Sequence, residues 1–198
     1  ILFSSENTNG TTLYNWTNDT PSIGLDAIGN GNIESFVAVN GGSSPIVATI
    51  VVTPTYDVTD PLLACEGEEI TFTITVNPTG QVDQPDNYEY CDGDTAVIDF
   101  TTSNTGLNSL TTYSWTFSGD DIGLDVSIPG DISQQITNAT TDTLTALITV
   151  TPTYTNDGES CEGPSKEFTI TVSPTAQVEQ IEDIVECNGA SVEAILFS

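Results

Sequence analysis

Hydrophobic and polar residues alternate one by one over much of this chain. Leu147 and Thr149 separate Ala146, Ile148 and Val150; Thr169 and Thr171 separate Phe168, Ile170 and Val172; Ser114 and Thr116 separate Tyr113, Trp115 and Phe117. Successive side chains of a strand point to opposite faces, so a period of two predicts β-strands with one face toward a core. No stretch carries the 3.6-residue apolar period of an amphipathic helix. Thr is abundant, and β-branched residues suit a pleated, half-solvated surface. Between the runs lie turn-forming clusters such as Ser118-Gly119-Asp120-Asp121 and Asn156-Asp157-Gly158. The pattern predicts strands over 95–103, 111–118, 133–139, 143–154 and 166–173, with short edge strands near 86–90 and 122–127.

The same pattern occurs more than once. Tyr14-Asn15-Trp16-Thr17 returns as Tyr113-Ser114-Trp115-Thr116, and Ile23-Gly24-Leu25-Asp26 as Ile122-Gly123-Leu124-Asp125. Thr53-Pro54-Thr55-Tyr56 returns as Thr151-Pro152-Thr153-Tyr154, and Phe72-Thr73-Ile74-Thr75-Val76 as Phe168-Thr169-Ile170-Thr171-Val172. Cys65-Glu66-Gly67 matches Cys161-Glu162-Gly163, Cys91-Asp92-Gly93 matches Cys187-Asn188-Gly189, and Ile1-Leu2-Phe3-Ser4 matches Ile195-Leu196-Phe197-Ser198. A period of about 97 residues is a domain, not a solenoid turn. Short strands with turn signals at this spacing predict an all-β sandwich repeated in tandem and arranged end to end. Trp16 and Trp115, each in mid-strand, are expected on the inward face as core.

Proline marks the joints. Val76-Asn77-Pro78-Thr79 and Val172-Ser173-Pro174-Thr175 each follow a final strand, and Pro cannot extend a ladder. The expected units are 1–78, a repeat lacking its N-terminal segment; 79–175, a complete repeat; and 176–198, the start of another.

Charge narrows the function. Among 198 residues there are 29 Asp and Glu, one Lys or Arg and no His, a formal net charge of −28. Nucleic acid and anionic membrane surfaces both require basic residues, so neither is an expected partner. Without His or Arg, the usual nucleophile–base pairs and phosphate clamps have no members. Carboxylates alone can form a glycosidase pair, but that pair needs a pocket, and short-looped sandwiches offer little of one. The expectation is a non-enzymatic protein. Lys166, the lone base, has Ile70 as its counterpart, which speaks against a repeated isopeptide cross-link.

The strings Tyr14–Asn40, Thr149–Tyr154, Phe168–Thr175 and Cys187–Gly189 resemble the PKD-like repeats of very large Bacteroidetes surface adhesins, a group that includes gliding-motility adhesins. The resemblance spans essentially the whole chain. It departs in the middle repeat, where Thr116-Phe117-Ser118 replaces Thr-Asn-Asp and Gln135 stands for Phe36. It implies an immunoglobulin-like fold for each sandwich, export by the type IX system, an extracellular, cell-surface location, and a stalk or attachment role in a fibre built from neighbouring repeats. A carbohydrate-binding module using Tyr56, Tyr88, Tyr90 or Tyr154 is the alternative. Asp94-Thr95-Ala96 and Asp142-Thr143-Leu144 match the O-glycosylation signal that such a source brings, with Thr95 and Thr143 as acceptors. Asn15 and Asn138 open Asn-x-Ser/Thr sequences as well.

Two further sites are expected. Four cysteines allow three connectivities, and an exported protein favours bridging them. The strand after Cys65 carries the chain too far for a Cys65–Cys91 bridge, which needs Cα atoms within about 7 Å. If the main strands alternate up and down, Cys91 and Cys161 fall at one end of the same sandwich, so their pairing is expected, with Cys65 and Cys187 reserved for neighbouring repeats. The same end would gather Asp83, Asp86, Asp92 and Glu162. Carboxylates without cationic partners suit a hard cation, which makes this cluster the candidate calcium site.

Overall fold

In a computed structural model, residues 1–57 and 65–195 are described. Leu196, Phe197 and Ser198, from the match to Ile1-Leu2-Phe3-Ser4, lie outside them. The architecture is all-β, with antiparallel sheets consistent with a β-sandwich. The first sheet holds β1 (Thr11–Asn18), β2 (Ile28–Asn30), β3 (Ile46–Asp57), β4 (Cys65–Glu66) and β5 (Ile70–Val76). Its path runs β2-β1-β3-β4, and β5 also pairs with β3. The second region begins with β6 (Tyr88–Cys91) and β7 (Thr95–Ile98), followed by β8 (Leu110–Gly119), β9 (Ile132–Gln135), β10 (Leu144–Asn156), β11 (Glu159–Glu162) and β12 (Lys166–Ser173). One sheet runs β11-β10-β12-β6, with β8 on β10, and β7 and β9 form a separate pair.

The alternating pattern explains the burial. Along β10, Ala146, Ile148 and Val150 are fully buried, and so are Ala96, Ile98 and Ile132 from the β7–β9 pair. These residues belong to one hydrophobic cluster, which places the two sheets face to face around it. Ile148 lies opposite Phe117 on one side and Phe168 on the other. Each such side chain, fully buried, stabilises the fold by about 1.5–3 kcal/mol relative to exposure. A second, separate cluster forms around Trp16, Ile23, Ile33, Ile50 and Val52. Both tryptophans are core, at 7% and 4% exposure. Gly29 lies so close to the Trp16 ring that a Cβ there has no room.

Strand lengths differ from expectation for local reasons. The 95–103 run ends at Ile98 because Asp131 Oδ1 accepts the Phe100 N–H at 2.8 Å, replacing a ladder bond. The 133–139 run ends at Gln135, after which Ile136 N–H donates to Asp94 O. Residues 122–127 form no strand. Ile122 and Leu124 are buried, but Asp121 and Asp125 turn the backbone by accepting the Gly123 and Ser127 N–H groups. The edge strand near 86–90 is present as β6. Its direction is, among the described residues, the one departure from antiparallel pairing: it runs parallel to β12, with Tyr88 opposite Ile170 and Cys91 opposite Ser173.

The two clusters meet through polar contacts. The Asn156 side-chain amide donates to Asn77 Oδ1 at 2.9 Å, and Asn77 Nδ2 donates to Asn156 O at 3.3 Å. Thr105 N–H donates to Ser43 O across the same boundary, and just past it, within the second region, Gly80 N–H donates to Cys161 O. Gly163 lies against the Gly80 carbonyl with no space for a side chain.

Candidate functional site

The register separates the residues expected to form a disulfide. Cys161 lies opposite Tyr154, near the C-terminal end of β10. Cys91 lies beside Ser173, and the neighbouring Val172 faces Leu144 at the other end of β10. About ten residues of strand separate those ends, roughly 33 Å at 3.3 Å per residue. Cys91 and Cys161 are accordingly unbridged. The error lies in strand direction. A first strand that runs parallel to the last one delivers Cys91 to the exit end of β12, whereas Cys161 precedes the start of β12.

The candidate calcium ligands are divided by the same geometry. Asp92 sits at the Cys91 end, where its Oδ1 accepts the Asn138 N–H and its Oδ2 the Thr175 hydroxyl, both at 2.8 Å. Those bonds, the Asn138 N–H first, hold its carboxyl below the usual carboxylate range. Glu162 lies opposite Thr153, at the other end. Asp83 is engaged by the Thr101 hydroxyl through Oδ2, and Asp86 lies in the segment leading to β6. Among the described residues, no three carboxylates or thiols come together as a metal-binding group.

Thr95 and Thr143 are both exposed, Thr95 at the start of β7 and Thr143 just before β10. Asn138 is 2% exposed, and its amide donates to Asp142 O and Val172 O at 2.8 Å, so it is a structural link and not a glycan acceptor. Tyr154 is fully buried, with its hydroxyl donating to Thr105 O, which removes it from any sugar-stacking surface. Tyr88 and Tyr90 are half-buried against the cluster around Ile98, Ile148 and Phe168.

What the residues do build is an apolar hollow of about 160 Å³ on the first region, lined by Leu2, Phe3, Tyr14, Pro54, Ile70 and Phe72. Phe3 and Tyr14 hold their rings 5.4 Å apart. Phe100 and Tyr113, their counterparts, are also 5.4 Å apart. In the second region the corresponding space is closed. Tyr88 meets Phe168 edge-on at 5.9 Å, Phe100 meets it at 6.1 Å, and Val82 is buried alongside. The segment from Val82 to Cys91 thus covers in one region what the other leaves open.

No protein-family model matches the chain, and no curated protein matches it. Among the described residues, no helix is long and apolar enough to cross a membrane.

Proposed function

We propose that this chain is a non-enzymatic structural and adhesive stretch of a large extracellular, cell-surface protein. It comprises PKD-like, immunoglobulin-like repeats set end to end, with units at 1–78, 79–175 and 176–198. Its immediate partners are neighbouring repeats, and its outer contact is an external surface or glycan. The observation that supports this most directly is the duplicated unit joined by a polar, close-fitting contact at Asn77–Gly80. A joint in which Asn77 and Asn156 exchange hydrogen bonds, and Thr105 N–H donates to Ser43 O, resists bending. The acidic surface adds self-repulsion, which keeps a long fibre extended and soluble. Exposed Thr95 and Thr143 are the places for O-linked glycans.

Small-angle scattering of the 198-residue chain tests the reading. An end-to-end pair of sandwiches adds about 40 Å of length per repeat. A compact, near-spherical profile would reject the fibre reading.

A further inference from the structure

We propose that the second region carries tension along the chain through a shear clamp, in which residues 84–92 lie parallel to β12 and pass load directly to it. This rests on the reading of the chain as an extended stalk, because a stalk is pulled at both ends. The chain enters the region at Gly80, whose N–H donates to Cys161 O shortly before the start of β12. It leaves past Thr175, beyond the other end of β12. Tension therefore draws residues 84–92 toward one end of the region and β12 toward the other. Two parallel strands pulled in this way slide along each other, and every bond between them is loaded at once.

The bonds keep step along the whole segment. Gln84 Nε2 donates to Glu167 O at 2.8 Å, and Asn87 Oδ1 accepts the Thr169 N–H at 2.9 Å. The β6–β12 ladder follows, from Tyr88 opposite Ile170 to Cys91 opposite Ser173. Asp92 N–H donates to Ser173 O at 2.9 Å, and the Thr175 hydroxyl donates to Asp92 Oδ2 at 2.8 Å. The side-chain amides take part for a reason. Pro85 has no N–H and restricts the residue before it, so the backbone there supplies no regular ladder. Gln84 and Asn87 bridge the interruption and extend the contact of a short strand along most of β12. Aromatic rings add resistance. Tyr88 meets Phe168 edge-on and stacks on Tyr90 at 6.2 Å, so sliding drags both tyrosines across the core they pack against.

Geometry decides how much force such a contact bears. Opening a strand pair from one end breaks one bond at a time, whereas shear requires several to fail in a single step. Each hydrogen bond contributes modestly to stability, so the strength comes from simultaneous failure and not from any one bond. Forced unfolding is governed by the unfolding rate, not by equilibrium stability. The clamp also shields the rest of the region. While it holds, load passes from residues 84–92 into β12 and bypasses β7 to β11, which lie between them in the chain. The strands that carry Ile98, Ile132 and Ile148 into the core are then left unstretched.

Single-molecule unfolding at constant force tests this on the full chain, with the second region recognised by the longer extension it releases. Loaded from the two chain ends, it should unfold about a hundredfold more slowly than when loaded between Cys91 and the C-terminus, the factor for three net hydrogen bonds failing together. Cys91, which is exposed, serves as the attachment thiol in a chain carrying Cys65→Ser, Cys161→Ser and Cys187→Ser. That geometry opens the β6–β12 ladder from one end. Gln84→Ala and Asn87→Ala, both at exposed positions, should each speed unfolding about fivefold under end-to-end load. Neither should change the rate in the Cys91 geometry, because peeling from Cys91 meets those bonds last. Equal rates in the two geometries overturn the clamp. So do variants that shift both rates alike, which is what a merely stabilising role would give. Small-angle scattering separates the two readings: a compact profile removes the stalk whatever the rates, and an extended profile with equal rates removes the clamp alone.

Discussion

Phe72 and Phe168 occupy equivalent strands in the two regions, within the same Phe-Thr-Ile-Thr-Val sequence. One is half-buried, and the other is 2% exposed. Pro54 and Pro152, and Tyr56 and Tyr154, differ in the same sense. The strands themselves form alike in both regions, since β3 pairs with β1 and β5 as β10 pairs with β8 and β12. Pairing therefore follows from local pattern and turn chemistry. Burial depends in addition on a covering segment contributed from elsewhere in the chain. In the second region, β6 and the β7–β9 pair supply that cover; in the first, contact between Ile1 and Ile33 supplies only part of it.

The contrast is sharpest in a pair of matched substitutions. Phe168→Ala should cost about 3–5 kcal/mol, as for a fully buried aromatic side chain, and Phe72→Ala about 1–2 kcal/mol, because its ring already meets solvent. Each region holds one of the two tryptophans, so urea unfolding of Trp16→Phe and Trp115→Phe backgrounds reads the regions separately. The region containing Trp16 should unfold first. Equal costs at the two phenylalanines would mean that the covering segment contributes nothing.

A milder change should make the second region resemble the first. Tyr88→Ala removes the ring that meets Phe168 and should destabilise the Trp115 transition by about 2 kcal/mol. The Trp16 transition should not move; if both shift together, the regions form one cooperative unit.

Asn156 tests the contact between them. It is 6% exposed and shares two hydrogen bonds with Asn77. Asn156→Ala removes the amide that donates to Asn77 Oδ1, while Asn77 Nδ2 keeps the backbone carbonyl of residue 156, and should cost about 1 kcal/mol, with the two tryptophan transitions drawing further apart. Transitions that keep their spacing would assign the coupling to other contacts.

The smallest effects are electrostatic. Asp92 in the second region and Asp19 in the first are both held below the usual carboxylate range by hydrogen bonds they accept, chiefly from the backbone N–H groups of Asn138 and Thr49. A depressed folded pKa means stability that is complete above the unfolded value, near 3.9, and is lost as pH falls through the folded value. The difference between the native chain and Asp92→Asn should therefore be constant at neutral pH and shrink below about pH 4. A difference unchanged at the lowest accessible pH would show that charge plays no part. Salt should raise both midpoints by screening the net charge of −28, and salt-independent midpoints would dismiss self-repulsion as a factor.

Sequence alone established the all-β class, the duplication, the main strands and the burial of Trp16 and Trp115. Each of these follows from neighbours in the chain: alternation sets a strand's two faces, and Gly, Asn and Asp set its turns. It also anticipated β6, but not the direction in which β6 pairs. Parallel and antiparallel partners present the same alternating side chains, so the choice between them is made only when backbone groups find partners across the sheet. That choice separates Cys91 from Cys161 and Asp92 from Glu162 by the length of a strand. Burial of Tyr154 and the openness of the hollow over Phe72 are likewise tertiary, because they depend on which distant segment comes to lie on a face, and identical strands carry no record of that.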